Sequence, residues 1–476
     1  MTVIAQARLG LHDPHDCTDA NDELTIYHAI YDTLVRRVGQ DYVPHLAMGW
    51  SVSGDATEWT FHLEPHVQFH DGTQCNAQAV AACLARMARD DKGYTLGAPA
   101  VWRQYLGGAR FDVVDDITLI VTLAAPMADL LDVLEQGFIV APSAFGALDA
   151  KDYSAQVGSG PYRLTSVASD RITAERLEDH FGGVPANPTV TWQLVPDAAD
   201  RLKLLQQGTV QVANALDYEA SRALGDARHE FLSPVAIIYL LNAARGPLSD
   251  GRVRQALSLA VDRDAIVQTV MAGAARPLRG FVSPNHYGAG QGGGTVLDRD
   301  SARQLLAAAG YGDGLTLDVD CPTRLPDEAE RLTAALGEQL AEVGIALNVF
   351  VHPEREDYAH MVRRKEIRDL CVFDSSPMST YRVLYEKIDQ RVSGAWWQGY
   401  ANAQIEALID KGRVTADRDA RAALWRDAYA LLQQDPAWLT LYNPLKVIGL
   451  AGSHPGFAMP ADGVIDVPRL PNLSGG

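Results

Sequence analysis

Three histidines, His62, His66 and His70, sit four residues apart. On one helix they would share a face and could bind zinc. The stretch 57–70 instead alternates apolar and polar residues and is broken by Glu64-Pro65-His66, which predicts a hairpin and gives the histidines a structural role. His12-Asp13-Pro14-His15-Asp16-Cys17 gathers imidazole, carboxylate and thiol, a set that a transition metal could use. Its plainer reading is a polar turn after a first strand at 3–9. No resident metal and no cofactor are expected from either group.

Catalytic spacings are poor. Gly158-Ser159-Gly160 lacks the G-x-S-x-G elbow. The chain has no G-x-x-x-x-G-K-[ST] loop and no H-E-x-x-H, and the glycines at 288–294 do not follow a strand and open a helix. Spacing alone offers no nucleophile facing a base, so no catalytic residue is expected.

The stretch 373–400 carries binding chemistry instead. Asp374, Ser375 and Ser376 leave a short apolar strand at its carboxyl end, the place where open parallel sheets hold ligands. Arg382 follows, then Trp396-Trp397-Gln398-Gly399-Tyr400. An acid could take a ligand's amino group and an arginine its carboxylate, with the aromatics as walls. Adjacent tryptophans in an extended segment point to opposite sides, so one of Trp396 and Trp397 should face the ligand. The competing reading makes both tryptophans interdomain core and Arg382 half of a surface ion pair.

The elements that must position these residues follow from periodicity. Apolar positions Leu24, Tyr27, Ile30, Tyr31, Leu34 and Val35 predict a helix over 24–38, capped by Thr18 or Asp22. A helix at 76–87 and strand-like runs at 118–123 and 138–140 follow. Residues 189–194 read as a strand and 198–207 as an amphipathic helix ended by Gly208. Leu315–Val319, the helical face Ala329, Leu332, Leu336, Leu340 and Val343, and the run 346–351 predict a strand–helix–strand unit with a parallel crossover. Leu370–Phe373 is a third, buried strand, and 417–434 another amphipathic helix. No internal repeat, low-complexity tract or Pro/Ser linker appears, so ordered crossings join the parts.

At 476 residues the chain exceeds what one core supports, and two or three domains are expected. Its 47% apolar and 21% charged residues are those of a soluble globular protein. A net charge of −19 repels phosphate backbones, so a nucleic-acid partner is not expected. Five scattered cysteines with no C-x-x-C leave at least one thiol unpaired within the chain. The N-terminus lacks the basic and apolar segments of a secretory signal, so an exported protein would here be a mature chain.

Tyr31-Asp32-Thr33-Leu34-Val35, Pro44-His45-Leu46-Ala47, Trp50-Ser51-Val52-Ser53, Trp59-Thr60-Phe61-His62-Leu63 and Val67-Gln68-Phe69-His70-Asp71-Gly72-Thr73, in this order and spacing, resemble the opening of the solute-binding proteins of peptide- and nickel-type ABC importers. Gly158-Ser159-Gly160-Pro161-Tyr162 resembles the family's G-[ST]-G-P-Y motif. The run from Tyr239-Leu240-Leu241-Asn242 through Pro247 to Val261-Asp262-Arg263 is similar to its second signature. The resemblance implies an α/β, two-lobed periplasmic-binding-protein fold of the large, three-subdomain type, with a hinge and an interlobe cleft. Residues 1–43 would open lobe one, 44–156 form its extra subdomain, 157–240 complete it, 241–438 form lobe two, and 439–476 return to lobe one.

The implied function is capture of a small zwitterionic ligand (a short peptide, a modified amino acid or opine, or a metal chelate) for an ABC permease in the membrane. It implies a monomer outside the cytoplasm and no covalent step. Cys17 and Thr18 would lie near the cleft, and Trp102 where nickel-type members carry a ligand-facing tryptophan. Tyr239, Asn242, Tyr442 and Asn443 would sit at the crossings, as hinge or ligand residues. Two departures stand out. Gln136 and Gly137 occupy the place of a basic side chain in nickel-type members, and Phe373-Asp374-Ser375-Ser376-Pro377 replaces a W-x-x-D-Y-x-D-P pattern of peptide-type members. The rival expectations are a peptidase-like enzyme on the same scaffold and a cytoplasmic ligand-sensing domain.

Overall fold

The computed structural model describes residues 1–16, 21–92, 101–290, 294–324, 326–375 and 380–473. The chain forms two compact units, one of residues 1–231 with 446–476 and one of residues 232–445.

The first unit is built on the strand Thr2–Gln6, whose five residues are all buried. It runs parallel to Thr189–Leu194 on one side and to Val212–Ala213 on the other, with Ile4 opposite both Trp192 and Val212. Residues 449–450 of a long last strand, Trp438–Leu450, continue the sheet beyond Val212–Ala213, and Arg171–Arg176 and Tyr162–Val167 extend it the other way. A helix, Asn21–Ile30, follows the first strand and ends eight residues before the expected Val38. Residues 35–38 and 41–44 form a two-stranded hairpin instead. The apolar period misled because Leu34 and Val35 are fully buried on the extended segment too.

Strands Ala47–Val52, Glu58–Leu63, Thr118–Thr122 and Arg110–Asp115 make a separate antiparallel sheet in that order. The alternation of 58–63 is real, with Trp59, Phe61 and Leu63 inward. The expected 57–70 hairpin is not: Glu58–Leu63 pairs with its two neighbours, and Val67–His70 leaves through a turn that puts His66 at a φ of 65°. The helix Ala77–Met87 starts where the side chain of Asn76 accepts from the Ala79 amide. Residues 138–140 are extended but form no strand. The Phe138 amide turns back to the Gln136 carbonyl, that of Ile139 goes to the Asp32 carbonyl and that of Val140 to the Cys83 sulfur, so no regular ladder runs along them.

The Gly158-Ser159-Gly160 turn lies on the carboxyl end of the Asn21–Ile30 helix. A Cβ at Gly158 would stand 2.0 Å from the Ile30 carbonyl oxygen, and one at Gly160 2.6 Å from the Tyr31 nitrogen. Backbone touches backbone here, so only glycine fits.

The second unit carries a sheet in the order Ile345–His352, Leu315–Pro322, Leu370–Ser375, Ala236–Leu241, then residues 438–442. The expected strand–helix–strand unit is present: Leu315–Pro322 and Ile345–His352 pair in parallel along their whole length, joined by the helix Ala329–Ala341. Leu370–Ser375 is parallel to Leu315–Pro322 and antiparallel to Ala236–Leu241. One face, with Ile237, Tyr239, Leu241, Leu370 and Val372, packs under Leu332, Leu336 and Leu340 and under the helices Gly251–Ala260 and Arg263–Met271. The other face presents Phe373, Ser375 and Trp438.

Candidate functional site

Ser375 and the aromatic candidates of 396–400 lie towards that other face, whereas Asp374 shares the face of Ile237 and Val372. Phe373 is buried against Trp396, ring centroids 4.4 Å apart, and stacks on Tyr358 at 6.3 Å. Trp396 is buried and Trp397 half-buried, with its indole N–H donated to the Tyr400 carbonyl at 2.6 Å. Tyr400 is buried and its hydroxyl donates to the Asp435 carbonyl at 3.0 Å. The segment is therefore a folded turn pinned along its length, not the extended strand that the pair of tryptophans suggested. Gln398 donates to the Val362 carbonyl at 2.9 Å and accepts from the Ala243 amide at 2.8 Å.

Asp374 and Ser375 end the strand Leu370–Ser375, Asp374 half-exposed and Ser375 buried. The Ser375 hydroxyl accepts from the Lys387 ammonium at 3.2 Å, and the same ammonium lies 5.8 Å from the centre of the Trp438 ring. Arg382 donates to Glu386 at 3.1 Å, one turn along the helix Thr380–Lys387. Lys387 was not anticipated from the sequence. The only hint was the run Arg382-Val383-Leu384-Tyr385-Glu386-Lys387, which reads equally as a solvated helix face. A hydroxyl-bound ammonium and an aromatic wall thus meet at one strand end, while the neighbouring Asp374, paired opposite Ile237, points to the other face of the sheet.

The remaining candidates spend their polar groups inside the fold. Tyr239 is fully buried, its hydroxyl 2.8 Å from that of Thr333. Asn242 donates to the carbonyls of Ile367 and Arg368. Tyr442 bonds the Glu328 carboxylate, at 2.5 Å, and Asn443 donates to the Val235 carbonyl at 2.7 Å. Trp102 belongs to the first unit, where it is fully buried and donates to the His15 carbonyl at 2.6 Å. Cys17, Thr18 and Ser376 lie outside the described residues.

Within the described part of that polar turn, Asp13 and His15 prove to belong to a buried ion network. Asp13 takes both guanidinium nitrogens of Arg86 at 3.0 and 2.6 Å and the Lys92 ammonium at 2.7 Å. His15 Nδ1 accepts from Arg86 at 2.7 Å, so its proton sits on Nε2 and is donated to the Phe138 carbonyl at 3.0 Å. Cys83 Sγ lies 3.3 Å from that Nε2. The pair has the reach of a thiol and a base but not the chemistry, since the facing nitrogen carries hydrogen and burial pushes the thiol up to about 12. Of the three spaced histidines, His62 and His66 are exposed and His70 faces the Gly160 carbonyl at 2.9 Å. Among the described residues no three metal-binding side chains converge.

Burial, aided by Arg86, pulls the His15 pKa down from 6.5 to about 4. The unfolded chain takes a proton near 6.5 that the folded one refuses until about 4. Stability from this group is thus present above pH 6.5 and lost as pH falls towards 4, by about 3 kcal/mol in total. A His15→Gln variant offers the same acceptor and donor without titrating. Its unfolding free energy in urea should fall at least about 1 kcal/mol less than that of the wild type between pH 7 and 4.5. Equal losses would exclude His15 as the origin.

Residues 41–375 match the family of bacterial extracellular solute-binding proteins, family 5, in its middle region, and the chain belongs to that family. Its members are the solute-binding components of ABC importers, and the α/β fold is that of the periplasmic binding proteins. Among curated relatives, the glutathione-binding protein GsiB of Salmonella typhi is 26% identical over 468 residues, covering 93% of this chain and 88% of its own. Among solved structures, HbpA2 from Haemophilus parasuis superposes with a TM-score of 0.84 at 22% identity over 97% of both chains. The ABC transporter-associated binding protein DppA from Helicobacter pylori, in complex with the peptide STSA, gives 0.73 at 22% identity over 94% of both. GsiB and DppA are both named as binding proteins.

Proposed function

We propose that this chain captures a small solute carrying both an amino and a carboxyl group, of short-peptide size, and delivers it to a membrane permease. The observation that supports this most is the Lys387 ammonium, bonded to the Ser375 hydroxyl at the end of Leu370–Ser375 and lying beside the Trp438 ring. A ligand carboxylate would find its partner in this ammonium, and charge-assisted bonds are the strong ones; Asp374, at the strand's exit, is the candidate for the amino group. Phe373, Trp396 and Trp438 supply the apolar wall. The names of the GsiB relatives make glutathione the first candidate, and opines and metal chelates carry the same charges. On this reading residues 44–156 form an accessory subdomain, the 373–400 stretch belongs to the ligand-holding part of lobe two, and the protein works as a monomer outside the cytoplasm. Binding alone accomplishes the task, through a ligand preferring one conformation of the protein.

A thermal-shift screen over glutathione, di- and tripeptides, opines and metal chelates is the direct test. A true ligand at a hundredfold excess over its dissociation constant adds about 2.7 kcal/mol. With the ligand found, Asp374→Ala should weaken binding at least tenfold in calorimetry, since a hydrogen bond to a charged group is worth about 1.5–3 kcal/mol. An unchanged constant would remove Asp374 from the site, and a screen without a single stabilising zwitterion would remove the reading itself.

A further inference from the structure

The helix Arg355–Arg363 ends in an unusual way. The Lys365 amide bonds the Val362 carbonyl and the Glu366 amide the Met361 carbonyl, each at 3.1 Å, which is the paired closure of a Schellman turn. The residue at the left-handed position of such a turn is normally glycine. Here it is Lys365, at a φ of 62°, a conformation that its Cβ makes unfavourable. Something must keep a side chain there.

The Lys365 ammonium donates to the carbonyl oxygens of Gly394 and Ala395. It is half-buried, and among the described residues no carboxylate comes within ion-pairing distance of it. Burial alone pulls its pKa down to about 8. The two carbonyls stand immediately before Trp396 and Trp397. On the far side Gly394 is pressed onto the helix Thr380–Lys387, where an added Cβ would lie 1.9 Å from the Glu386 carbonyl oxygen. From the same helix end, Arg363 lies over the Trp396 ring at 5.6 Å, and the Val362 carbonyl holds Gln398.

We propose that Lys365 is a positioning residue of the solute site: its ammonium clamps Gly394 and Ala395 and thereby sets the turn that presents Trp396, Trp397 and Tyr400. Its bearing on binding rests on the reading of 373–400 as ligand-contacting, whereas the clamp itself does not. The Gly394 carbonyl also accepts the Trp397 amide at 3.2 Å, so the ammonium holds from outside a turn that this bond closes from within.

Three full-length variants test it. Lys365→Gly removes the clamp and the strain together, Lys365→Met removes the clamp and keeps the strain, and Lys365→Arg restores a donor. In the ligand-free protein, hydrogen exchange of the amides in 394–400 should accelerate at least tenfold in Lys365→Gly and Lys365→Met, and recover in Lys365→Arg. The melting temperature should hold or rise in Lys365→Gly and fall in Lys365→Met. A merely structural lysine would lose stability in both and leave local exchange tied to global unfolding. Wild-type exchange rates at 394–400 in Lys365→Gly would overturn the clamp, with no ligand needed to see it. In parallel, the affinity for reduced glutathione, or for the zwitterion that stabilises the wild type most, should drop at least threefold in Lys365→Gly. Faster exchange with unaltered affinity would overturn the positioning role while leaving the contact in place.

Discussion

Asp32→Ala should cost the first unit about 3–5 kcal/mol, the loss expected when a buried charged group is removed from partners that stay behind. The Asp32 side chain is fully buried. One oxygen accepts from His45 Nε2 at 2.8 Å. The other accepts from the Ser159 hydroxyl at 2.8 Å and from His180 Nε2 at 3.3 Å. Burial opposes its charge, but these donors outweigh it and hold the carboxyl far below its usual range. Removal strands three donors in a space closed by the Gly158–Gly160 turn. Asp32→Asn keeps the volume but turns an N–H towards another N–H, and should cost about 1–3 kcal/mol. Urea unfolding at pH 7, followed by circular dichroism, measures both. A cost under about 1 kcal/mol for the alanine variant would mean that water or a rearranged imidazole replaces the carboxylate.

The matching prediction for the second unit concerns Arg263. It is buried, and among the described residues no carboxylate forms an ion pair with it. Its Nε donates to the Thr440 carbonyl at 2.7 Å, and its other nitrogens to the carbonyls of Ser258 and Val261 and to the Ser258 hydroxyl. Burial lowers its pKa to about 10, so it remains charged at neutral pH. One guanidinium ties the end of the helix Gly251–Ala260, the start of the helix Arg263–Met271 and the last strand together. Arg263→Met fills much of the volume but leaves three carbonyls without donors, and should cost about 3 kcal/mol or more. At roughly 2–4 °C per kcal/mol for a unit of this size, its calorimetric transition should fall by about 6–12 °C. Arg263→Lys should recover only part of this, since an ammonium cannot fork to all three. A shift within about 2 °C for the methionine variant would show that the carbonyls find other donors.

How far the sequence carried depended on whether a signal was local. The strand–helix–strand unit at 315–352 was legible because periods of two and 3.6 follow each other cleanly there. The 24–38 helix was overextended because burial of Leu34 and Val35 looks the same in one dimension whether the backbone coils or extends. Phe138–Val140 looked like a strand because it is apolar, yet the amides of Ile139 and Val140 are taken by Asp32 and Cys83, far away in the chain. At the site, the acid and the aromatics at 373–400 could be named from residue type and position. Lys387 and Lys365 could not, because a lysine's partner 12 or 29 positions away leaves no mark on its neighbours. The polar turn at 12–16 was recognised as polar, but Arg86 and Lys92, which make it a buried network, come from another element.

The second unit is one uninterrupted insertion, entering at Leu232 and leaving at Leu445, with the Ser233 amide bonded to the Pro444 carbonyl at 2.9 Å. The first unit is split around it. During synthesis from the amino end, then, residues 1–231 emerge first but finish last: Val212–Ala213 waits for 449–450, and Asn187 waits for the carbonyls of Leu470 and Pro471. The later-made half can close its core while the earlier-made half still lacks an edge, which inverts the usual order of vectorial folding.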